Sequence, residues 1–329
     1  MNQCYRLGID IGSTTVKVAV IDDNNKILFA DYERHYANIQ ETLASLLKKC
    51  KGELGELSLR PNITGSGGLT LSGYLHIPFV QEVVAVATAL QDYAPRTDVA
   101  IELGGEDAKI IYFGTTLEER MNGVCAGGTG SFIDQMAALL QTDASGLDRE
   151  AAHYQQIYPI AARCGVFAKT DIQPLINEGA TKADLAASIF QAVVNQTIAG
   201  LAQGREVKGD VLFLGGPLFF FKGLQKRFQE TLGLDDEHAH FPALAPYAIA
   251  AGAAEYAGTT SKTYTVSSLL DALEKAAGAP VVANYLPPLF ESEQQYEEFK
   301  SRHSSHDVMT QNVTVYEGDA YLGIDCGST

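Results

Sequence analysis

The sequence has little positive charge, few cysteines and no apolar run that reaches the length of a membrane span. Its 329 residues include 24 Lys and Arg against 40 Asp and Glu, which gives a formal net charge of −16. Nucleic-acid backbones are bound by clustered Lys and Arg, so this balance argues against a nucleic-acid partner. A local cradle of backbone N–H groups with one Lys can still hold a phosphate group in an acidic protein.

The first residues, Met1–Arg6, lack the basic and then apolar pattern of a signal peptide. We therefore expect a cytoplasmic protein that makes no contact with a membrane. The five cysteines are odd in number and widely spaced, which does not fit a disulfide framework. Hydrophobic residues make up 46% of the chain and charged residues 19%, which is typical of a soluble globular protein.

A segment near the start of the sequence recurs at its end. Residues 7–14 are LGIDIGST and residues 322–329 are LGIDCGST. A match with a single difference over this length indicates an internal repeat rather than chance. We therefore expect an N-terminal fragment of a longer protein, with a connecting segment at 259–318 and the start of a truncated second copy at 319–329.

Strands and helices alternate within residues 1–258. Three apolar, β-rich runs come first, and Asp22–Asn25 is predicted to form a turn between the second and the third. Strands are predicted at 7–11, 16–21, 27–32, 63–65, 99–103, 109–113 and 211–214. Helical spacing of apolar residues predicts helices at 39–50, 130–140, 185–201 and 246–257.

The first of three glycine-containing turns is the segment GIDIGSTTVK. Asp10 ends a strand and can hold a magnesium ion through water. Gly12 permits a tight turn, so that the amides and hydroxyls of Ser13 and Thr14 can face phosphate oxygens. Lys17 follows close enough to reach a β- or γ-phosphate. An ordinary hairpin with an exposed Lys would look the same, so this turn alone does not decide the function.

The other two turns are IELGGEDAK and LFLGGP. The second repeats the layout of the first, with a strand, glycines, an acid and a Lys. The third is a buried strand that runs into paired glycines, where a sugar and a base could approach the backbone. Paired glycines are common, but three such turns in this order are a specific signal for nucleotide binding. The candidate contacts here are Gly104, Gly105, Asp107, Lys109, Gly215 and Gly216.

The three segments resemble the phosphate 1, phosphate 2 and adenosine motifs of the actin/Hsp70/hexokinase superfamily, whose α/β fold is ribonuclease H-like. The resemblance implies ATP or ADP with Mg²⁺ as ligands. It also implies two lobes around a nucleotide cleft, whose closure is coupled to the γ-phosphate. One lobe is expected at about 1–95 with a closing helix at 246–257, and the other at about 96–245.

Two cysteines precede predicted helices. Cys125 comes before a Gly-rich turn that opens a helix, and Cys164 is placed similarly. A helix N-terminus lowers the pKa of a thiol and suits a ligand of an anionic cluster. An iron–sulfur cluster usually needs four thiolates, which two subunits related by a two-fold axis would supply. Cys4, Cys50 and Cys326 are interpreted as small buried apolar side chains.

The segments NGVCAGGTGSF and RCGVFAKTD resemble the BadF/BadG/BcrA/BcrD ATPase family, which includes the activators (component A) of 2-hydroxyacyl-CoA dehydratases. The resemblance covers residues 5–258 and implies a 4Fe–4S cluster bridging two subunits through Cys125 and Cys164. It further implies a homodimer or a pseudo-dimer with the second repeat, a ferredoxin or flavodoxin donor, and a dehydratase or reductase as iron–sulfur partner. Residues 259–329 resemble large fused members of the family.

One position departs from the family, because Glu106 stands where Gln is usual. Its carboxylate could orient or deprotonate the attacking water, or could repel the γ-phosphate, and Asp10, Glu106 and Asp107 are the candidate catalytic residues. The expected function is ATP hydrolysis that energises electron transfer. A small-molecule, sugar-type kinase of the same fold and a non-catalytic ATP-sensing module remain open. The paired cysteines are the feature that separates the first reading from the kinase.

Overall fold

The computed structural model describes residues 4–122, 127–161, 165–259, 262–277, 287–306, 308, 310–312 and 314–324. The chain divides into two compact units, residues 1–278 and residues 279–329. The first unit contains two α/β lobes and the three glycine-containing turns.

The first lobe is built on a mixed sheet. Its chain order is β1 Cys4–Ile11, β2 Thr15–Ile21, β3 Ile27–Arg34, α1 Ile39–Leu54, β4 Ser58–Thr64, α2 Gly68–Leu75 and α3 Glu82–Tyr93. The strand β1 pairs antiparallel with β2 and parallel with β4, so that Asp10 lies opposite Lys17 on one side and Thr64 on the other. Alternate residues of these strands are apolar and pack on α1 and α2, as a half-buried β pattern requires.

The second lobe repeats this plan. It contains β5 Val99–Leu103, β6 Ala108–Tyr112, β7 Glu118–Met121, α4 Gly130–Leu139, α5 Ala144–Ala151, α6 Gly165–Asn177, α7 Lys182–Thr197, β8 Val211–Leu214, α8 Gly216–Phe220, α9 Lys222–Leu232 and β9 Ala239–His240. The sheet order is β7-β6-β5-β8-β9, and Glu102 on β5 lies opposite Lys109 on β6. The acid–Lys pair of the first lobe therefore recurs in the second.

The chain then returns to the first lobe through α10 (Ala248–Tyr256), β10 (Tyr264–Thr265) and α11 (Val266–Ala277). The strand β10 pairs with the edge of β4, which makes the first sheet β10-β4-β1-β2-β3. Val266, Leu269 and Leu273 of α11 are buried in the core that α1 and α2 share. Residues 264–277, expected to belong to a connecting segment, thus complete the first lobe because their apolar face packs there.

Two helices, α3 and α10, lie between the sheets. A buried cluster joins them to the second sheet through residues such as Ala100 and Leu212, and α10 also packs on β1 and β2. These contacts require very close approach, because a Cβ on Gly8 would lie 1.8 Å from the Ala250 carbonyl oxygen. A Cβ on Gly252 would lie 1.7 Å from the carbonyl oxygen of Ala85.

One apolar segment, Lys182–Ala202, is long and apolar enough to span a membrane by length and composition, contrary to the expectation from the sequence. It comprises α7 and the π-helical turn Ile198–Ala202, and 67% of its most apolar window is buried. It is a core helix of the second lobe. The unit of residues 279–329 contains α12 (Glu293–Ser304), which has no buried residues among those described.

The close packing of α10 predicts a large effect of one methyl group. The substitution Gly252→Ala should lower the free energy of unfolding by about 3 kcal/mol, because the added Cβ must displace the backbone of α3. The matched control is Gly52→Ala in α1, where an added Cβ meets nothing within 4 Å. There we expect a gain of about 0.5–1 kcal/mol from reduced chain entropy. Urea unfolding measures both, and equal effects would contradict the packing argument.

Candidate functional site

A cleft between the lobes brings the three glycine-containing turns together. It encloses about 720 Å³ of space, a figure that includes its open mouth. The first lobe contributes Thr14, Thr15, Lys17, Tyr32 and Arg34 to its lining. The second contributes Glu102, Gly104, Gly105, Gly130, Ser131, Asp134, Gly215, Gly216, Pro217, Phe220 and Phe221, and Pro246 lies before α10.

The first turn is centred on a buried ion pair. Asp10 is 1% exposed, and its Oδ2 lies 2.7 Å from the Nζ of Lys17. Burial alone would lower the pKa of Lys17, but the attraction of Asp10, with smaller contributions from Glu102 and Glu82, raises it. Lys17 is therefore held as a cation where the cleft opens, which suits an anionic ligand.

Several polar atoms around Asp10 are buried and lack a hydrogen-bond partner among the described residues. They are Asp10 Oδ1, Ser13 Oγ, Asn62 Nδ2 and Thr64 Oγ1. An unsatisfied buried polar group costs about 1–3 kcal/mol, so this cluster is suited to a polar occupant. A carboxylate oxygen with two hydroxyl oxygens is the hard donor set that Mg²⁺ prefers, directly or through water. The residues present therefore fit the predicted magnesium ion.

The second turn packs directly against the first. A Cβ on Gly105 would lie 2.3 Å from Thr14 Oγ1 and 2.9 Å from Ser13 Oγ, so only glycine allows this approach. The second turn is also tied to helix α4. The amide N–H of Gly130 donates to the Gly104 carbonyl at 3.0 Å, and that of Ser131 donates to the Gly105 carbonyl at 2.7 Å.

The third turn crosses the end of β5. Gly215 has φ +86°, and a Cβ there would lie 2.0 Å from the Leu103 carbonyl oxygen. Its amide donates to the Ala245 carbonyl at 3.0 Å. Gly215 and Gly216 both line the cleft. Glycine is required here because the backbone conformation and the close approach both exclude a side chain.

Lys109 is not among the described residues that line the cleft. It lies buried behind the cleft. Its Nζ is 2.7 Å from Glu82 Oε1 and 3.5 Å from Glu102 Oε2, and it contacts the Asp107 carboxylate. Oxygens of the three carboxylates lie within 4.8 Å of one another, an arrangement that could hold a cation, and the ammonium of Lys109 occupies that position. Lys109 thus supports the second turn.

Glu82 and Glu102 of this cluster have raised pKa values. Burial raises the pKa of Glu102 to about 8, since the attraction of Lys109 is shared with Glu82 and Asp107. Burial likewise raises the pKa of Glu82. For Lys109, burial opposes the charged form, but the three carboxylates together raise its pKa well above the ordinary value. The cluster therefore keeps its ammonium, and Glu102 retains a proton longer than a free carboxyl.

The predicted catalytic residues take different positions. Asp10 lies at the cleft floor, and Asp107 is half-buried and paired with Lys109. Glu106 is exposed at the tip of the hairpin, where its carbonyl oxygen accepts a bond from Asn122 Nδ2 at 3.2 Å. Cys125 and Cys164 lie outside the described residues.

Some cleft residues were missed from the sequence. Arg34 on β3 makes a two-pronged ion pair with Asp134 on α4, at 2.7 and 3.2 Å, which connects the lobes across the cleft. Tyr32 lies 5.5 Å from Phe220 between ring centroids and 6.2 Å from Tyr247, forming an aromatic wall. These partners are far apart in sequence and carry no local signal.

Glu102 was also missed, although a signal for it exists. Asp10 and Lys17 are seven residues apart, and the same spacing separates Glu102 from Lys109. In an antiparallel hairpin that spacing places each acid opposite its Lys.

Glu102 should make stability depend on pH. The folded protein keeps the Glu102 proton up to about pH 8, whereas the unfolded chain releases it near pH 4.5. The unfolding free energy should therefore fall between these values as pH rises. In Glu102→Gln this fall should be smaller by more than about 1 kcal/mol between pH 5 and 9. Denaturant unfolding at each pH measures it, with exposed Glu53→Gln as the control. An unchanged slope in Glu102→Gln would refute the titration.

Known proteins resemble this chain over most of its length. The (R)-2-hydroxyglutaryl-CoA dehydratase activating ATPase of Acidaminococcus fermentans is 30% identical over 262 residues, covering 77% of this chain and 96% of that protein. Relatives with no characterised function also match, such as an uncharacterized protein of Methanocaldococcus jannaschii at 30% identity over 69% of this chain.

Solved structures confirm the predicted fold. The A. fermentans (R)-2-hydroxyglutaryl-CoA dehydratase component A superposes with a TM-score of 0.67 at 27% identity, covering 83% of this chain and 99% of that one. The activator of the 2-hydroxyisocaproyl-CoA dehydratase from Clostridium difficile, with bound ADPNP, gives 0.66 at 23% identity, covering 85% and 99%. The two lobes thus form the actin-type ATPase fold. Residues 7–257 match the model of the BadF/BadG/BcrA/BcrD ATPase family, and the chain belongs to that family.

Proposed function

We propose that this protein hydrolyses ATP and couples the hydrolysis to one-electron transfer toward a 2-hydroxyacyl-CoA dehydratase or a related reductase. The observation that carries the proposal is the cleft in which three glycine-containing turns meet the buried Asp10–Lys17 pair. The relative at 30% identity is named as an activating ATPase of such a dehydratase, and a related activator structure holds ADPNP. Both comparisons favour this partner class.

The nucleotide would lie along the cleft with its phosphates at the first two turns. Ser13 and Thr14 would hold phosphate oxygens through their amides, while the Gly12 amide donates to the Thr15 carbonyl at 3.0 Å and closes the turn. Lys17 would neutralise the phosphate charge. Gly104 and Gly105 would meet the phosphates from the second lobe. A magnesium ion would supply charge neutralisation there, held through Asp10 and the unpartnered hydroxyls around it. Catalysis of hydrolysis would then rest on positioning and electrostatics.

Among the acids of the second turn, Glu102 is the one that lines the cleft. A carboxyl whose pKa is raised to about 8 keeps its proton at neutral pH, so it can donate a hydrogen bond to a water or a phosphate oxygen. We therefore add Glu102 to Asp10 as a candidate for orienting the attacking water. Glu106 would need the hairpin tip to turn inward before it could act, because its side chain is exposed.

The cluster assignment rests on the helices that follow the two cysteines. Cys164 directly precedes α6, and Cys125 stands just before the turn that opens α4. The start of α6 lies against α4, since a Cβ on Gly165 would lie 3.2 Å from Gln135 Oε1 and 3.8 Å from Phe132. Thiols beside helix N-termini are the donor type for an iron–sulfur cluster, whose chemistry is one-electron transfer. The chain therefore suits the predicted 4Fe–4S group.

The same region suits a second subunit. One chain offers two of the four thiolates that a cluster usually needs, so a homodimer, or a pseudo-dimer with a second repeat, would complete the set. Val166 and Phe167, next to Cys164, are 68% and 63% exposed. Apolar side chains exposed together favour a protein contact at this surface. A ferredoxin or flavodoxin would act as the electron donor in this scheme.

Removing the Asp10 carboxylate should abolish most ATP hydrolysis. In Asp10→Asn we expect kcat to fall by about 100-fold or more, because the charge that would orient magnesium and Lys17 is lost. The control is Asp31→Asn, which removes a half-buried carboxylate that is paired with Lys49 and is not among the described residues lining the cleft. Phosphate release measures the rate. A folded Asp10→Asn protein with a rate within threefold of wild type would contradict this role, and a wild-type protein that binds ATP without hydrolysing it would favour an ATP-sensing module.

Anaerobic reconstitution with iron and sulfide tests the cluster. The wild-type protein should bind about four irons per two chains, with matching visible and EPR spectra, as a dimer by size. Cys125→Ser and Cys164→Ser should each lose the cluster. Cys4→Ser should retain it, because Cys4 is a free thiol that hydrogen-bonds within the first lobe.

One outcome of this reconstitution would refute the proposed cluster. A wild-type protein that is folded, binds ATP and remains a monomer without iron would leave no site for electron transfer. The ATP-binding assignment would survive that outcome, and a kinase-type or sensing function would replace the proposal.

A further inference from the structure

The segment that follows β3 has a strained backbone beside the first turn. Tyr36 and Ala37 have φ values of +43° and +68°, in the left-handed region that costs non-glycine residues free energy. The Tyr36 side chain is 79% exposed, so its packing does not explain the conformation. Two successive residues in this region persist only when neighbouring contacts hold them, and such segments occur at functional sites.

His35 supplies those contacts. Its side chain is buried, with 8% exposed. The amide N–H of Ala37 donates to His35 Nδ1 at 3.1 Å, and His35 Nε2 lies 3.2 Å from the carbonyl oxygen of Gly12. Its backbone N–H donates to the Thr14 carbonyl at 3.1 Å. One residue thus connects the strained segment to both ends of the Gly12–Thr14 turn.

These bonds define the state of the imidazole ring. A neutral imidazole has one N–H and one lone pair. Because Nδ1 accepts the bond from Ala37, the lone pair is on Nδ1 and the hydrogen is on Nε2. The Nε2–H group therefore donates to the Gly12 carbonyl, and both nitrogens are satisfied without a charge on the ring.

The orientation of one carbonyl sets that of an amide. The Gly12 carbonyl and the Ser13 N–H belong to one planar trans peptide unit, so they point in opposite directions. Holding the Gly12 carbonyl toward His35 directs the Ser13 N–H away from it. A donor fixed in this way before the ligand arrives binds an anion without a cost of reorganisation.

We propose that His35 is a positioning residue that presets the Ser13 amide of the Gly12–Thr14 turn for phosphate. This inference rests on the proposed phosphate-binding role of that turn. His35 acts through the Gly12 carbonyl and touches no nucleotide itself. Its effect should accordingly appear in the affinity for phosphates and not in the affinity for the nucleoside.

The test compares MgATP and adenosine binding to full-length variants. His35→Ala should weaken MgATP binding by about tenfold, as expected for the loss of one oriented hydrogen bond. Adenosine affinity, measured by competition, should remain within twofold of wild type. His35→Gln should stay within threefold of wild type for MgATP, because its longer carboxamide can donate to the Gly12 carbonyl. His35→Asn is the matched control, since its oxygen replaces Nδ1 but its amide is too short to replace Nε2.

Each outcome of these binding measurements either supports or contradicts the positioning role of His35. If His35→Ala folds and binds MgATP as wild type does, or loses MgATP and adenosine affinity in parallel, the proposal is wrong. If His35→Ala does not fold, the other two variants decide. MgATP binding that is at least threefold weaker in His35→Asn than in His35→Gln supports the proposal, and equal binding by the two variants overturns it. A wild-type protein that binds MgATP no more tightly than adenosine would instead refute the phosphate role of the turn itself. Iron content does not enter either measurement.

Discussion

The structure depends on a buried acid placed opposite a Lys across the first two strands of each lobe. Asp10 faces Lys17 in one sheet, and Glu102 faces Lys109 in the other. A buried charge without a partner costs several kcal/mol, so the Asp10–Lys17 pair is stable only while β1 and β2 stay in register, whereas Lys109 also has Glu82 and Asp107 as partners. Lys17 of the first pair and Glu102 of the second line the same cleft. The strand pairing that holds each hairpin together therefore also places ionisable groups where a nucleotide would bind.

The two pairs are used differently. Asp10 keeps one oxygen without a partner among the described residues, next to unpartnered hydroxyls, so the first lobe has capacity left for a cation. Lys109 is shared among three carboxylates, one of which, Glu82, belongs to α3 between the sheets. That helix packs on α10, which in turn packs on β1 and β2. The second pair therefore links the cleft to α3 and α10, the helices between the two sheets. A movement of one lobe would displace these helices and, through them, the other lobe.

Local patterns predicted the strands and turns well. The meander of β1, β2 and β3 and the later strand β8 follow from apolar runs bounded by turn residues. The helix α3 was not predicted, and its buried residues pack on α10 and on the second sheet. Residues 264–277 were assigned to a connecting segment because their partners, the edge of β4 and the helices α1 and α2, lie some 200 residues earlier in the chain.

The sequence by itself determined the three turns and their order, because a tight phosphate-type turn needs glycine, acid and Lys at short, fixed spacings. The tertiary structure alone decided which of those side chains reach the cleft. It placed Lys109 behind Glu102, left Glu106 on the surface and joined Arg34 to Asp134 from the other lobe. These outcomes depend on the face that each strand presents and on how two lobes pack across α3 and α10, and neither is encoded by neighbouring residues.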